Sequence, residues 1–106
     1  MNPVILLEKT DTEFKNKLNE ASEGIVKDIK RIRSVPDTLQ SIIAYEINIQ
    51  DVGIKNIILT VDYLNGKNKF YDTSNGNHQK YESLESFVSD LATYFLRTRS
   101  VYNMNM

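Results

Sequence analysis

The sequence predicts an α+β domain in which two helices cover one face of a mainly antiparallel sheet. The first observation is the dipeptide Asn65-Gly66 between two strand-like stretches, and the second is a turn at Asp51-Val52-Gly53. The third is apolar residues at helical spacing on both sides of this region. We expect the order β-α-β-β-β-α, folded as a two-layer sandwich.

Asn65-Gly66 sets the register of the last two predicted strands. Both residues tolerate the positive φ of a type I′ turn, so Leu64 should pair with Lys67. Counting back gives three further pairs that suit cross-strand neighbours: Asp62 with Lys69, Val61 with Phe70, and Thr60 with Tyr71.

The turn Asp51-Val52-Gly53 sets the register of the first two strands in a predicted three-stranded antiparallel meander. Its glycine can take the left-handed conformation that follows a type I turn. If Gln50 closes onto Ile54, three apolar pairs form: Ile47 with Ile57, Tyr45 with Leu59, and Ile43 with Val61. These six residues and Phe70 would share one buried face, which a one-residue slip would split.

Ahead of the meander the sequence predicts a short strand and a long helix. The apolar run Val4–Leu7 after Pro3 suits a buried strand. Thr10 and Glu13 have capping-box spacing, and an apolar stripe follows them: Phe14, Leu18, Ala21, Ile25, Ile29 and Ile32. We expect a helix from about Asp11 to Arg33.

Pro36 should stop this helix and Gly24 should bend it. After the meander, residues 72–80 form a polar loop without periodicity. Ser83 can cap a second helix that ends near Arg97 or Ser100, with one apolar face: Leu84, Phe87, Val88, Leu91, Tyr94 and Phe95. Residues 1–102 would form one domain and residues 103–106 a disordered tail.

The composition of the chain limits the classes of function that it can have. The chain has 106 residues, a net charge of −1, no cysteine and no apolar run that approaches the ~20 residues of a membrane span. Its first residues lack the features of a signal peptide, so a cytoplasmic location is expected. Nucleic acid is disfavoured as a partner, since no clustered basic excess is present.

No motif assembles a catalytic, cofactor or metal site, so we expect no enzyme and no cofactor. His78 and Asp72 could be a base and its orienting carboxylate, but a solvated loop histidine is preferred. Glu46 and Asp62 share one sheet face, where a surface ion pair between Asp62 and Lys69 is favoured over a paired acid and base or a metal site.

The four glycines are scattered, which disfavours a phosphate loop. The basic run Lys27–Arg33 fits a solvated helix end better than a nucleic-acid site. A stacking platform for single strands is incomplete, because the register turns Tyr45 and Phe70 inward and leaves Tyr71 nearly alone.

The sheet face opposite the helices remains uncovered and mixes apolar and polar residues: Ile42, Ala44, Glu46, Asn48, Ile58, Thr60, Asp62, Lys69 and Tyr71. Uncovered faces of this kind commonly bind proteins. We expect the partner-binding residues to be Tyr71, Ile42 and Ile58 as apolar contacts, with the carboxylates Glu46, Asp62 and Asp72.

In size, acidity and lack of catalytic motifs, the chain resembles the small cytosolic immunity proteins that bacteria make against their own secreted or contact-delivered toxins. The resemblance implies a protein-binding inhibitor whose partner is a toxin domain. Immunity proteins against nucleases usually present an acidic surface, for which the candidates are Glu46, Asp51, Asp62 and Asp72. The alternatives are a nucleic-acid-associated small regulatory protein and a small enzyme or enzyme subunit, and the oligomeric state stays open.

Overall fold

The chain forms one helix, then a five-stranded antiparallel sheet whose strands are adjacent in chain order, and then a second helix. The computed structural model describes residues 2–63, 67–73 and 79–104. The elements are α1 (Pro3–Ala21), β1 (Val26–Val35), β2 (Gln40–Ile49), β3 (Gly53–Asp62), β4 (Lys69–Asp72), β5 (Lys80–Tyr81) and α2 (Leu84–Met104). The α+β class and the antiparallel sheet are confirmed. The predicted order β-α-β-β-β-α is wrong, because a helix comes first and the strands follow it.

The segment Val4–Leu7 is the first turn of α1, and the predicted strand there is wrong. The Asn2 side chain accepts a hydrogen bond from the Val4 backbone N–H at 2.9 Å, and Pro3 occupies the first helical turn, where it leaves no donor unpaired. Thr10 lies inside the helix and donates its hydroxyl to the Leu6 carbonyl at 3.0 Å. The N-cap residue of the helix, Asn2, therefore lies eight residues before Thr10, the predicted N-cap.

The second half of the predicted helix is strand β1. Helix α1 ends at Ala21, and Glu23 and Gly24 take left-handed φ values of 55° and 84°, which reverse the chain instead of bending a continuous helix. Two register shifts in β1, between Val26 and Asp28 and between Arg31 and Arg33, lengthen the interval between core-facing residues.

As a result the partly buried residues of β1 recur at irregular intervals of two and three: Val26, Ile29, Arg31 and Ser34. Such intervals imitate helical spacing in the sequence. Ile32, which was predicted to lie in the helical stripe, is 51% exposed at the second shift.

Strands β2 and β3 keep the predicted face but not the predicted pairs. Tyr45 lies opposite Ile57 and Ile43 opposite Leu59, a shift of two residues from the predicted register. Asp51 and Gly53 both have positive φ, 68° and 106°, and the loop closes with Ile49 opposite Gly53. A two-residue shift leaves every side chain on its original face, so the predicted buried set is confirmed.

Strand β4 pairs with β3 in the predicted register: Asp62 with Lys69, Val61 with Phe70, and Thr60 with Tyr71. The predicted turn Asn65-Gly66 and the Leu64 partner of Lys67 lie outside the described residues. The predicted polar loop 72–80 is partly wrong, because Asp72 belongs to β4 and Lys80–Tyr81 form a fifth strand against Phe70 and Tyr71.

Helix α2 is capped as predicted: the Ser86 backbone N–H donates to the Ser83 hydroxyl at 3.1 Å. It is longer than predicted and includes Asn103 and Met104. Tyr94, which the sequence placed on the apolar face, is 49% exposed, whereas Ala92 is buried. Over the described ranges, neither helix is long and apolar enough to cross a membrane.

The core contains side chains from both helices and from strands β2, β3 and β4. Phe14 of α1 is fully buried, with its ring centroid 4.7 Å from that of Tyr45 in β2 and 6.1 Å from that of Phe87 in α2. Leu59 of β3 is also fully buried within this cluster. Phe14 therefore connects α1 to both the sheet and α2 within the core.

We predict that Leu59→Ala lowers the free energy of unfolding by about 2 to 5 kcal/mol, since it removes buried methyl groups and leaves a cavity. Ile54→Ala in the same strand is the matched control, because Ile54 is 55% exposed, and it should cost about 1 kcal/mol or less. Urea denaturation of both variants measures the difference. Equal losses would contradict the assignment of faces in β3.

Candidate functional site

The candidate site is the side of the sheet that faces away from the core, which we call the outer face. Its residues alternate with buried ones along β2 and β3 and continue into the other strands. The outer face consists of Asp28, Lys30, Arg33 and Val35 of β1, Ile42, Ala44, Glu46 and Asn48 of β2, Ile54, Asn56, Ile58, Thr60 and Asp62 of β3, Lys69 and Tyr71 of β4, and Lys80 of β5.

One row of this face crosses the whole sheet in the order Val35, Ile42, Thr60, Tyr71 and Lys80. Neighbouring strands lie about 4.8 Å apart, so the side chains of the row are direct cross-strand neighbours. Thr60 is only 4% exposed, and its hydroxyl is 3.2 Å from that of Thr73. The Nζ atom of Lys80 lies 5.7 Å from the centre of the Tyr71 ring, within cation–π distance.

The row contains most of an apolar patch made of Val35, Ile42, Ile58 and Tyr71. Val35 is 45% exposed and Ile42 is 37% exposed, while Ile58 and Tyr71 are partly buried. Ile58 lies two residues from Thr60 on the same side of β3, about 7 Å along the strand. The predicted apolar residues Ile42, Ile58 and Tyr71 are therefore brought together on adjacent strands.

Charges of both signs surround the patch. Glu46 lies opposite Lys30 on β1, and Asp62 lies opposite Lys69 on β4. Lys69 also contacts Glu82. The register adds Asp28, Arg33 and Lys80 to the same face, so the described part of the outer face carries charges of both signs.

Glu46 and Asp62 do not converge on a common point. Glu46 pairs with Asn56, which is six residues from Asp62 along β3, a separation of about 20 Å at 3.4 Å per residue. Two carboxylates that far apart cannot share a proton or a metal ion. Over residues 2–63, 67–73 and 79–104, no group of His, Asp and Glu side chains has the arrangement of a metal site.

Two of the predicted carboxylates lie away from the outer face. Asp72 is opposite Leu59 and so points to the helix side, where it lines a cavity together with Tyr81 and Asp90. Asp51 forms an ion pair with Arg99 of α2 at 3.2 Å. These placements correct the expected contribution of both residues to the uncovered face. His78 lies outside the described residues, and with it the suggested His78–Asp72 pair.

A buried polar cluster between α1 and the sheet was not foreseen from the sequence. Asp11 is 6% exposed and accepts a 2.6 Å hydrogen bond from the Tyr45 hydroxyl. Lys15 and Arg31 lie 3.3 and 3.4 Å from its other carboxylate oxygen, and Arg31 also reaches Glu8 at 2.8 Å. One signal was available: the positions Leu7, Asp11, Phe14 and Leu18 form a helical stripe with a carboxylate inside it.

This cluster links α1 to strands β1 and β2 of the sheet. Burial raises the pKa of Tyr45 above its ordinary value, and the hydrogen bond to Asp11 raises the pKa further. The phenol thus stays protonated, and the Asp11 carboxylate is compensated by Arg31 and Lys15. A buried, compensated charge of this kind positions two elements relative to each other.

Comparison with protein-family models, with curated proteins and with solved structures finds no match to this chain. The function must therefore be inferred from the apolar patch and its surroundings.

We predict that the free energy of unfolding falls as the pH rises above about 10, because Tyr45 loses its proton in the unfolded chain before it does so in the fold. The loss should be about 1.4 kcal/mol per pH unit for each such tyrosine. Tyr45→Phe should make the decline shallower by about that amount between pH 10.5 and 11.5.

Urea titrations at several pH values measure how steeply the free energy of unfolding falls with pH. Tyr102→Phe, which removes a hydroxyl from the exposed end of α2, is the control and should follow the wild type. Parallel curves for Tyr45→Phe and the wild type would refute the account of the Tyr45 hydroxyl.

Proposed function

We propose that the protein is a cytoplasmic protein-binding inhibitor of the immunity type, which binds a toxin domain through its outer face. The observation that supports this proposal is the apolar patch of Val35, Ile42, Ile58 and Tyr71, placed on the side of the sheet opposite the core. Folding leaves these residues exposed or partly buried, so a partner can remove them from water.

The proposal includes a two-layer arrangement, with both helices in one layer. It is supported by Phe14, whose ring packs against Tyr45 of the sheet and Phe87 of the second helix on the same side. The core draws its strand residues from that side, for example Ile43, Leu59 and Phe70. A partner that binds the other side would complete a third layer without disturbing the core.

The composition of the outer face fits an interface with a toxin domain. Protein interfaces have an apolar centre and a polar rim, and aromatic residues and arginine are enriched in them. Here the patch extends from Val35 on β1 to Tyr71 on β4, with Arg33 at the β1 edge and Lys80 at the β5 edge. Glu46 and Asp62 lie beyond the patch in opposite directions along the strands. The apolar patch would supply affinity, and the rim charges would act mainly on the association rate.

The mixed charge of the outer face restricts the kind of toxin surface that could bind to it. An inhibitor of a strongly basic active site would present a run of carboxylates, whereas two of the three acids of this face lie opposite a lysine on the next strand: Glu46 faces Lys30, and Asp62 faces Lys69. We therefore propose a partner surface of balanced charge around an apolar pocket, into which Tyr71 inserts. Asp72 is not part of this interface, because it lies on the helix side.

We predict that Tyr71→Ala weakens the complex by about 2 kcal/mol or more, which is roughly 30-fold in Kd, chiefly through faster dissociation. The partner is captured with the wild-type chain from the source organism, identified by mass spectrometry and purified. Surface plasmon resonance then gives both rate constants, and inhibition of the partner's toxicity gives the function.

Tyr102→Ala is the matched control, since Tyr102 is 47% exposed but lies on α2, and it should bind like the wild type. Circular dichroism verifies that both variants fold. A folded Tyr71→Ala protein with unchanged kinetics would place the interface elsewhere, and a partner whose activity is unaffected by binding would remove the inhibitor function.

One observation favours a second candidate, a nucleic-acid-associated regulator. Lys80 lies over the ring of Tyr71 on the outer face, and the register places Lys30 and Arg33 on the same side. A sheet that combines an aromatic ring with cations is suited to stacking and phosphate contact with single strands. Salt-sensitive binding to a single-stranded oligonucleotide pool, lost in Tyr71→Ala, would support this candidate over the first.

A further inference from the structure

A cavity of about 220 Å³ lies on the helix side of the sheet, opposite the outer face. It opens between α2 and the last three strands. Three aromatic rings line it, those of Tyr81, Phe87 and Tyr94, and two aliphatic side chains, Ile57 and Leu91, complete its apolar wall. Tyr81 and Phe87 meet edge to face with centroids 5.4 Å apart, which fixes the orientation of both rings.

The charged groups of the cavity are acidic, and the neutral amide of Gln79 lies beside them. Asp72 and Asp90 line it, and none of its described lining residues is a lysine or an arginine. The Tyr81 hydroxyl donates a hydrogen bond to Asp90. Burial first, and then the bond to Asp90 and the negative charges of Asp90 and Asp72, raise the pKa of Tyr81 to about 12. The two carboxylates therefore disfavour the binding of any further negative charge in the cavity.

We propose that this cavity binds a small organic ammonium ion, either a free alkylamine or the lysine side chain of a protein. The aromatic faces attract a cation, the aliphatic residues contact its alkyl chain, and the Asp90 carboxylate compensates its charge. This site is separate from the outer face and does not rest on the proposed inhibitor function.

The dimensions and chemistry of the cavity select this class of ligand. At about 30 Å³ per molecule in the liquid, 220 Å³ holds about seven waters, and it is smaller than the about 300 to 1,000 Å³ of pockets for drug-sized ligands. An anion would be repelled by Asp90 and Asp72, and a neutral alkyl chain would gain nothing from either carboxylate. A cation over aromatic faces gains both the ring attraction and the charge compensation.

The test uses the full chain and n-butylammonium as the probe, followed by the backbone amide resonances of Tyr81, Phe87 and Leu91 in ¹⁵N NMR titrations. We expect saturable shifts of these amides. The apparent Kd should be about tenfold lower than for 1-butanol, which has the same chain without the charge.

Asp90→Asn should weaken n-butylammonium binding about three- to fivefold. Glu20→Gln removes a carboxylate of α1 that does not line the cavity, and it should leave the Kd unchanged. If Asp90→Asn does not fold, Tyr94→Ala removes part of the aromatic wall at a half-exposed position and should weaken binding similarly.

A second probe, N-acetyl-lysine methylamide, separates the two sources of the ammonium group. Tighter binding of this probe than of n-butylammonium assigns the cavity to a protein lysine, and weaker binding assigns it to a free amine. The proposal is overturned if neither cation gives saturable shifts, if 1-butanol binds as tightly as n-butylammonium, or if the folded cavity variant binds with the wild-type Kd.

Discussion

The alternation of side chains along β2 and β3 is the constraint on which the rest of the structure depends. These two strands pair over ten residues, and every second residue of β2 from Ile43 to Ile49 is buried. A one-residue slip would bring charged and polar side chains into the core and expose the isoleucines. The same alternation places Ile42, Ile58 and Tyr71 together on the outer side, so the core and the candidate interface have one origin.

The Asp11 cluster then fixes where the first helix lies on this sheet. Apolar packing alone allows a helix to slide, whereas a buried carboxylate must keep its partners. Asp11 bonds Tyr45 of β2 and lies beside Arg31 of β1, so α1 is tied to two adjacent strands at one point. Arg31 lies on the core side because it follows Ile29 by two residues in the same uninterrupted register, and the register shift after it places Arg33 on the outer face.

Elements with a local signal can be predicted from this sequence, whereas elements that depend on distant contacts cannot. Strand pairing across Asp62 and Lys69 follows from nearby residues, and a two-residue error between β2 and β3 left the faces unchanged. The irregular register of β1 produced intervals of two and three that resemble a helix, so the first helix was placed too late.

The two-residue strand β5 exists only through its pairing with β4, and the cavity arises from three elements that are distant in sequence. Neither leaves a local pattern in the sequence.

The central claim, that a partner binds the outer face, is tested most directly by hydroxyl-radical footprinting of the purified complex, with Tyr71 and Tyr94 as reporters on opposite sides. Binding through the outer face predicts that oxidation of Tyr71 falls while that of Tyr94 is unchanged, and protection of Tyr94 alone would contradict it.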